Sequence, residues 1–253
     1  MSGYLSFNKQ IVGELPASGD GTDAPLRHRW VFWEQAREEE PCASYNELTR
    51  EIASISSVLD FWRVFSSIPQ PSELLSPSDS TRPPSTVGSY MLFKEGVRPE
   101  WEDKANSDGG HFQFTLSLTT VRKGDLPPSV SSLALLDEFW NNLILAMIGG
   151  VLAEEGAVTG LRLVDKLRGN KNGNRSGGHL RVELWFRDFA GTKIDALKRS
   201  VEVALRTRLG GALGELHGVR IDVRAHGRGE NTEMVFDGLN VPKGLNRRTA
   251  LIS

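Results

Sequence analysis

The chain is poor in cysteine, in long apolar runs and in net charge. It holds one cysteine among 253 residues, so an internal disulfide is excluded and no cysteine cluster is available for a metal ion. The longest apolar run, residues 143–153, contains two glycines and is too short to span a bilayer. The formal net charge of −2 gives no general attraction to nucleic acid, so such a contact would depend on a local patch or on stacking.

These features predict the compartment of the protein and the absence of a membrane anchor, a metal ion and a cofactor. A lone thiol favours a reducing compartment, and the start of the chain lacks the basic and apolar segments of a secretory signal. We therefore expect a cytoplasmic protein with no membrane attachment, no metal and no cofactor.

Tryptophan, in contrast, is abundant, with six in the chain. Trp30 and Trp140 lie on apolar faces of predicted regular elements, so we expect both in the core. Trp101 stands instead in the polar stretch Pro-Glu-Trp-Glu-Asp, between two strand-like segments. An exposed indole beside the Glu102 carboxylate suits a flat, cationic ring that donates hydrogen bonds. The 7-methylguanine of a messenger-RNA cap is such a ring.

Hydrophobic periodicity predicts an α+β fold. Helices are expected at 57–68, 131–148 and 192–209, and strands at 26–33, 89–94, 111–119, 161–164, 179–186 and 219–224. This order favours a mostly antiparallel sheet with the helices on one face. Residues 34–47 and the Pro/Ser-rich stretch 69–88 are expected to be loops. One domain should span 25–225, between flexible segments at 1–24 and 226–253.

Six blocks of sequence occur in an order that resembles one family. They are Pro-Leu-Arg-His-Arg-Trp-Val-Phe-Trp (25–33), Val-Leu-Asp-Phe-Trp (58–62), the stretch from Tyr90 to Asp103, Gly-Gly-His-Phe (109–112), the segment 137–149 and Val-Glu-Leu-Trp (182–185). From about residue 24 to about residue 225, the chain resembles the eukaryotic translation initiation factor 4E family of mRNA cap-binding proteins.

The resemblance implies a fold and a cap-base site. The fold would be a curved, mostly antiparallel sheet of about eight strands with three helices on the convex face. Methylguanine would stack between Trp101 and an aromatic in the loop before the first helix, where Tyr45 replaces the usual tryptophan. Glu102 would hold the guanine edge, and Trp185 would contact the N7-methyl group.

The resemblance also implies cations for the cap triphosphate. By position, Lys166 and Arg181 match residues that contact the phosphates, although the hairpin between them is longer than usual. His111 stands where many members have arginine, and Arg168 is a further candidate. For these last two we favour the simpler interpretation of ordinary surface side chains.

A second surface is implied on the helical side, where the family binds a scaffold factor 4G-like protein or a 4E-binding regulatory protein. The matching residues are Pro25, Leu26, Val58, Trp62 and either Ile144 or Leu145. Asn141, Asn142 and Gly150 replace the residues that are usual there. We therefore expect a partner motif that differs from the standard one.

Several functions fit these features. The leading hypothesis is a cap-binding protein that recruits capped mRNA to a scaffold for translation initiation. Tyr45 and the altered helical side also fit a repressive homologue that binds caps without supporting initiation. A 4E-like scaffold that has lost cap binding is a third possibility, which Trp101, Glu102 and Trp185 argue against. A cap-processing enzyme is disfavoured because the acidic clusters 38–40 and 154–155 belong to no catalytic motif.

Overall fold

The computed structural model of the chain describes residues 5–8, 23–37, 45–75, 86–116, 130–166, 179–208, 211, 213, 219, 221–226 and 234–236. Eight strands form one curved sheet in the order β2-β1-β3-β5-β6-β4-β7-β8, and every neighbouring pair is antiparallel. The predicted α+β class and the eight antiparallel strands are thereby confirmed.

The strands are β1 (Pro25–Ala36), β2 (Thr49–Ser57), β3 (Val87–Lys94), β4 (Gly110–Leu116), β5 (Val158–Asp165), β6 (Leu180–Phe186), β7 (Ile221–Ala225) and β8 (Met234–Phe236). The helices are α1 (Tyr45–Leu48), α2 (Val58–Phe65), α3 (Pro71–Leu75), α4 (Val130–Ile148) and α5 (Ile194–Arg206). The three helices predicted from periodicity are α2, α4 and α5. Within the described residues, no helix is long and apolar enough to cross a membrane.

Side-chain alternation along the strands separates two apolar layers. Trp30 and Phe32 of β1 enter the main core, which lies between the sheet and helices α2, α4 and α5. The intervening Val31 and Trp33 point to the opposite side of the sheet, which we call the open face. Trp140 of α4 is also in the main core, so both core tryptophans were correctly predicted. A smaller apolar cluster on the open face contains Trp33, Met91, Phe93, Val97 and Trp185.

Three elements before β3 were not predicted: α1, which begins in the stretch 34–47 expected to be a loop, β2, which precedes the predicted first helix, and α3, which lies in the stretch 69–88 expected to be a loop. Strand β2 is a sheet edge in which Ile55 is the one fully buried large apolar residue, so its alternating pattern is weak. Helix α3 begins at Pro71, where proline is tolerated because the first helical N–H needs no partner. The Glu73 carboxylate accepts a hydrogen bond from the Gln70 amide at 2.7 Å. The expectation that 69–88 holds no helix was therefore wrong for 71–75.

The ordered fold also reaches into both segments expected to be flexible. Residues 5–8 pack against α2 and α4, and β8 extends the sheet beyond residue 225 by pairing with β7. Neither contact could be predicted, because a three-residue edge strand and a four-residue docked segment carry no periodic pattern.

Candidate functional site

A loop between β3 and β4, residues 95–109 (the Trp101 loop), presents an indole at the rim of the open face. Its conformation is fixed by Asn106, which is fully buried and whose side-chain amide donates to the Arg98 and Glu100 carbonyls, each at 2.9 Å. The Asp103 carboxylate accepts from the backbone amides of Arg98 and Ala105 at 3.0 and 2.8 Å. Trp101 is nevertheless 58% exposed, and Glu102 beside it is exposed as well. These hydrogen bonds fix the conformation of the loop, while the Trp101 ring at its tip stays exposed.

The ring that lies against Trp101 is the imidazole of His226. The two rings are stacked, with centroids 6.3 Å apart and planes 19° apart. His226 Nδ1 lies 2.9 Å from the Asn106 carbonyl oxygen, so the imidazole is tied to the same residue that braces the loop. Because the indole keeps more than half of its surface, the face away from His226 is open to a ligand. Sequence reasoning missed His226, although its place directly after β7 was a usable signal.

Trp185 of β6 lies on the open face, as predicted, but it is only 1% exposed. Its ring is 4.4 Å from that of His226 and 5.9 Å from that of His111. Its indole nitrogen donates a hydrogen bond of 3.0 Å to Glu183. His226 therefore links Trp101 to Trp185 in one aromatic group, in which Trp101 is the exposed member.

His111 is buried and electrically neutral near pH 7. Burial lowers the pKa of its imidazole to about 4, and the attraction of Glu183 only partly opposes this. Its Nδ1 lies 2.9 Å from Nε2 of His226. As a candidate phosphate cation His111 is corrected by the structure, because it carries no positive charge at neutral pH and lies within the aromatic group.

The depressed pKa of His111 predicts a pH-dependent stability. An imidazole with a pKa near 6.5 unfolded and about 4 folded stabilises the fold above pH 6.5, and this contribution is lost as the pH falls through 4. The full loss amounts to about 3 kcal/mol. Urea titrations from pH 7.5 to 4 should show that His111→Gln loses less unfolding free energy than the wild type. Equal losses in the two proteins would contradict the assignment.

Tyr45, at the start of α1, lies next to the base of the Trp101 loop. Its hydroxyl donates to the Pro99 carbonyl at 2.6 Å, and burial raises the pKa of the phenol. The Arg162 guanidinium lies 6.0 Å from the phenol ring centroid. The structure thus brings Tyr45 and Trp101 to the same rim through Pro99, while its role as the second stacking ring stays a prediction.

Charged side chains form a buried network beneath this rim, which sequence reasoning also missed. Glu183 is 3% exposed and lies 2.7 Å from Arg181 and 3.9 Å from Arg162. Arg162 in turn donates to Gln35 at 2.6 Å. Burial raises the pKa of the Glu183 carboxyl group. His111, Arg162 and Arg181 together lower this pKa by more than burial raises it, so the net shift is downward and the carboxylate is charged. Their alternate positions on β5 and β6 were the available signal.

The two leading phosphate candidates lie close together at one end of the open face. Lys166 follows β5, and its backbone amide donates to the His179 carbonyl at 3.0 Å. Partial desolvation lowers the pKa of its ammonium, and the cations of Arg181 and Arg162 lower it further. The Glu183 carboxylate, which pairs with Arg181 at 2.7 Å, opposes this shift. The role of Lys166 and Arg181 in binding phosphate stays a prediction. Arg168 lies outside the described residues.

Five of the six residues predicted for partner binding keep exposed surface on the helical side, and their role stays a prediction. Trp62 is half-buried, Val58 is 37% exposed, and Pro25, Leu26 and Leu145 keep exposed surface. Ile144 is fully buried in the main core, so it cannot contact a partner. The remaining five residues are called the Trp62 surface below.

Comparison with known proteins decides the family. The family model described as eukaryotic initiation factor 4E matches residues 25–212. The chain belongs to the eukaryotic initiation factor 4E family. A 4E protein of Candida albicans is 30% identical over 183 residues, which are 72% of this chain and 73% of that relative. The 4E protein of Saccharomyces cerevisiae is 33% identical over 148 residues, 58% of this chain and 59% of that relative.

Solved 4E structures share the fold of this family member. The initiation factor 4E-3 of Ascaris suum, in complex with an m7G cap, superposes with a TM-score of 0.58 at 21% identity, covering 85% of this chain and 97% of that one. The 4E-3 protein of C. elegans, in complex with the 4E-binding protein Mextli, gives a TM-score of 0.56 at 22% identity, covering 81% and 94%. Among the residues described for this 4E-family chain, no cluster of three or more metal-ligating side chains occurs.

Proposed function

We propose that this protein binds the 7-methylguanosine cap of mRNA on its open face and recruits it, through the Trp62 surface, to a scaffold for translation initiation. It does so in the cytoplasm and catalyses no reaction. The observation that carries the proposal is an exposed Trp101, braced by Asn106, with the exposed carboxylate of Glu102 next to it.

The chemistry of the cap base matches this pair. Methylation at N7 makes the guanine ring cationic, and a cation over an indole gains roughly 0.5–2 kcal/mol beyond the stacking of about 1–3 kcal/mol that any base gains. The open face of Trp101 therefore favours methylated over unmethylated guanine. Glu102 accepts hydrogen bonds from the ring N1–H and the exocyclic amine, which adenine does not offer in that arrangement. Tyr45 supplies the second aromatic wall. The expected contact of Trp185 with the methyl group is corrected, because Trp185 is 1% exposed and His226 separates it from Trp101.

The triphosphate extends toward Lys166 and Arg181. Removing one such cation should weaken binding of the phosphate part alone. Lys166→Ala is expected to lower the affinity for 7-methyl-GTP about fivefold, from a loss of about 1 kcal/mol, and to leave the affinity for 7-methylguanosine unchanged. Calorimetric titrations with both ligands measure the two effects.

Lys193→Ala is the matched control. Lys193 lies at the start of α5, its side chain is 79% exposed, and it pairs with Glu154 at 3.8 Å. It should bind both ligands as the wild type does. An equal loss for the two ligands in Lys166→Ala would place Lys166 outside the phosphate path.

A repressive homologue is the second candidate, favoured by the unusual helical side, where Asn141 binds the backbone of Leu5.

The proposed function itself is tested with capped and uncapped transcripts of one sequence. The protein should retain only the capped RNA, and addition to a cap-dependent extract depleted of its own 4E protein should restore translation. Retention without restored translation would favour the repressor, and equal retention of both RNAs would refute cap binding.

A further inference from the structure

The N-terminal residues Leu5–Asn8 lie on the helical side of the molecule, at the Trp62 surface. The Phe7 ring contacts Trp62 edge to face, with centroids 5.1 Å apart and planes 71° apart, and it reaches Phe65 at 6.1 Å. Ser6 and Asn8 on either side of Phe7 are each only 4% exposed. The segment is therefore embedded in the surface, with one aromatic anchor and two buried polar neighbours.

Two side chains of helix α4 bind the backbone of Leu5, one at its carbonyl oxygen and one at its amide. The Asn141 side chain donates to the Leu5 carbonyl at 2.9 Å, and the Glu138 carboxylate accepts from the Leu5 amide at 3.4 Å. Asn141 also donates to Gln70 at 2.7 Å, which fixes the orientation of its amide group. Contacts to backbone atoms position the segment independently of its side chains.

Side chains complete the attachment around one buried carboxylate. Ser6 Oγ donates to Asp137 Oδ2 at 2.6 Å, and Ser72 donates to the same oxygen at 2.7 Å. Asn8 donates to the Ser72 hydroxyl at 2.8 Å. The segment is thus joined both to α4 and to the start of α3.

The surface that receives residues 5–8 contains buried polar side chains. Asp137, Glu138 and Asn141 are all fully buried, and polar side chains are costly to bury without hydrogen-bond partners. Residues 5–8 supply a partner to each of the three. The asparagine at position 141, which replaces the usual residue of the family, thereby gains a physical reason.

We propose that residues 5–8 are a built-in competitor for the Trp62 surface, which a partner helix must displace before it can bind. The inference rests on the proposed function, since it takes the Trp62 surface as the partner site. Because the segment belongs to the same chain, its local concentration is high whatever the protein concentration. The apparent affinity for the partner equals the intrinsic affinity multiplied by the fraction of molecules in which the segment is undocked.

The first test removes the anchor in the full-length protein. Phe7→Asp places a charge against Trp62 and should release the segment. A labelled peptide from the 4E-binding protein Mextli, titrated by fluorescence anisotropy, is expected to bind this variant about tenfold more tightly than the wild type. Val203→Asp, on the exposed side of α5, is the matched control and should bind as the wild type does. Unchanged 7-methyl-GTP binding verifies that each variant is folded.

The second test locks the segment in place. The Ser6 and Ser72 hydroxyls bond to the same Asp137 oxygen, so cysteines at both positions can approach disulfide distance. In a Cys42→Ser background, the pair Ser6→Cys and Ser72→Cys should cross-link on oxidation, whereas Ser6→Cys with Ser107→Cys should not. The locked protein should bind no peptide, and reduction should restore binding.

Three outcomes separate the inference from the function on which it rests. A locked protein without peptide binding and a tighter Phe7→Asp variant support the competitor. No cross-linking above the control pair, together with equal peptide binding by wild type and Phe7→Asp, overturns it. Efficient cross-linking with no peptide binding by any variant shows a docked segment but refutes a partner of the Mextli kind at this surface, and the competitor role against such a partner falls with it.

Discussion

Replacing Glu102 by alanine is expected to lower the affinity for 7-methyl-GTP about 100-fold. Each charge-assisted hydrogen bond to a carboxylate contributes about 1.5–3 kcal/mol, and Glu102 would accept two from the guanine edge. A net loss of about 2.7 kcal/mol corresponds to that factor. Because Glu102 is exposed, the midpoint of thermal unfolding should not change. Isothermal calorimetry and a thermal melt on the same sample measure both quantities.

Glu100→Gln is the control for this experiment. Glu100 is a carboxylate two positions away in the same loop, but it pairs with Arg98 at 2.7 Å and is partly buried. It should keep 7-methyl-GTP affinity within about threefold of the wild type, the scale of one partly exposed ion pair. If Glu100→Gln loses more affinity than Glu102→Ala, the base-binding carboxylate has been assigned to the wrong residue.

Replacing Glu183 by alanine is expected to destabilise the fold by about 3–4 kcal/mol. Removal of one partner from a buried ionic group leaves the other charges uncompensated, which typically costs about 3–5 kcal/mol. In this network Arg162 and Arg181 would lose their carboxylate, and the Trp185 indole its acceptor. Chemical denaturation at pH 7 gives the difference in unfolding free energy.

The matched change is Glu95→Ala, which breaks an exposed pair with Arg29 at the end of β3. Exposed pairs contribute about 0–1 kcal/mol, so this variant should unfold almost as the wild type does. Glu183→Gln should recover part of the loss, since it keeps an acceptor for the indole. A Glu183→Ala protein as stable as Glu95→Ala would show that the network contributes nothing to stability.

Periodicity was sufficient to predict much of this fold, and its failures have physical causes. In α2 the spacing of Val58, Phe61, Trp62 and Phe65 specified a helix with one buried side, and the structure buries Phe61 and Phe65 there. In α4 apolar residues occur all around the helix, so the sequence could not distinguish Ile144, which is buried, from Leu145, which is half-exposed. The polar residues of α4 do not mark a solvent side, because Asp137, Glu138 and Asn141 are themselves buried beneath residues 5–8 and other segments.

The candidate site was predictable where a local motif carries the chemistry and not where distant segments meet. The exposure of Trp101 followed from its polar neighbours within five residues. The stacking of His226 on Trp101, the anchoring of Tyr45 at Pro99 and the ion pairs of Glu183 each join residues from different strands or loops. Those contacts depend on the order and register of the sheet, which the sequence alone did not specify.

The central claim is that the open face of Trp101 discriminates methylated from unmethylated guanine. The most direct measurement is calorimetric titration of wild type and Trp101→Ala with 7-methyl-GTP and with GTP. The wild type should prefer the methylated ligand by about 2- to 30-fold, as expected for a cation on an indole, and Trp101→Ala should lose most of that preference while melting at the wild-type temperature. Equal affinities of the wild type for both ligands, or a preference that survives in Trp101→Ala, would contradict the account.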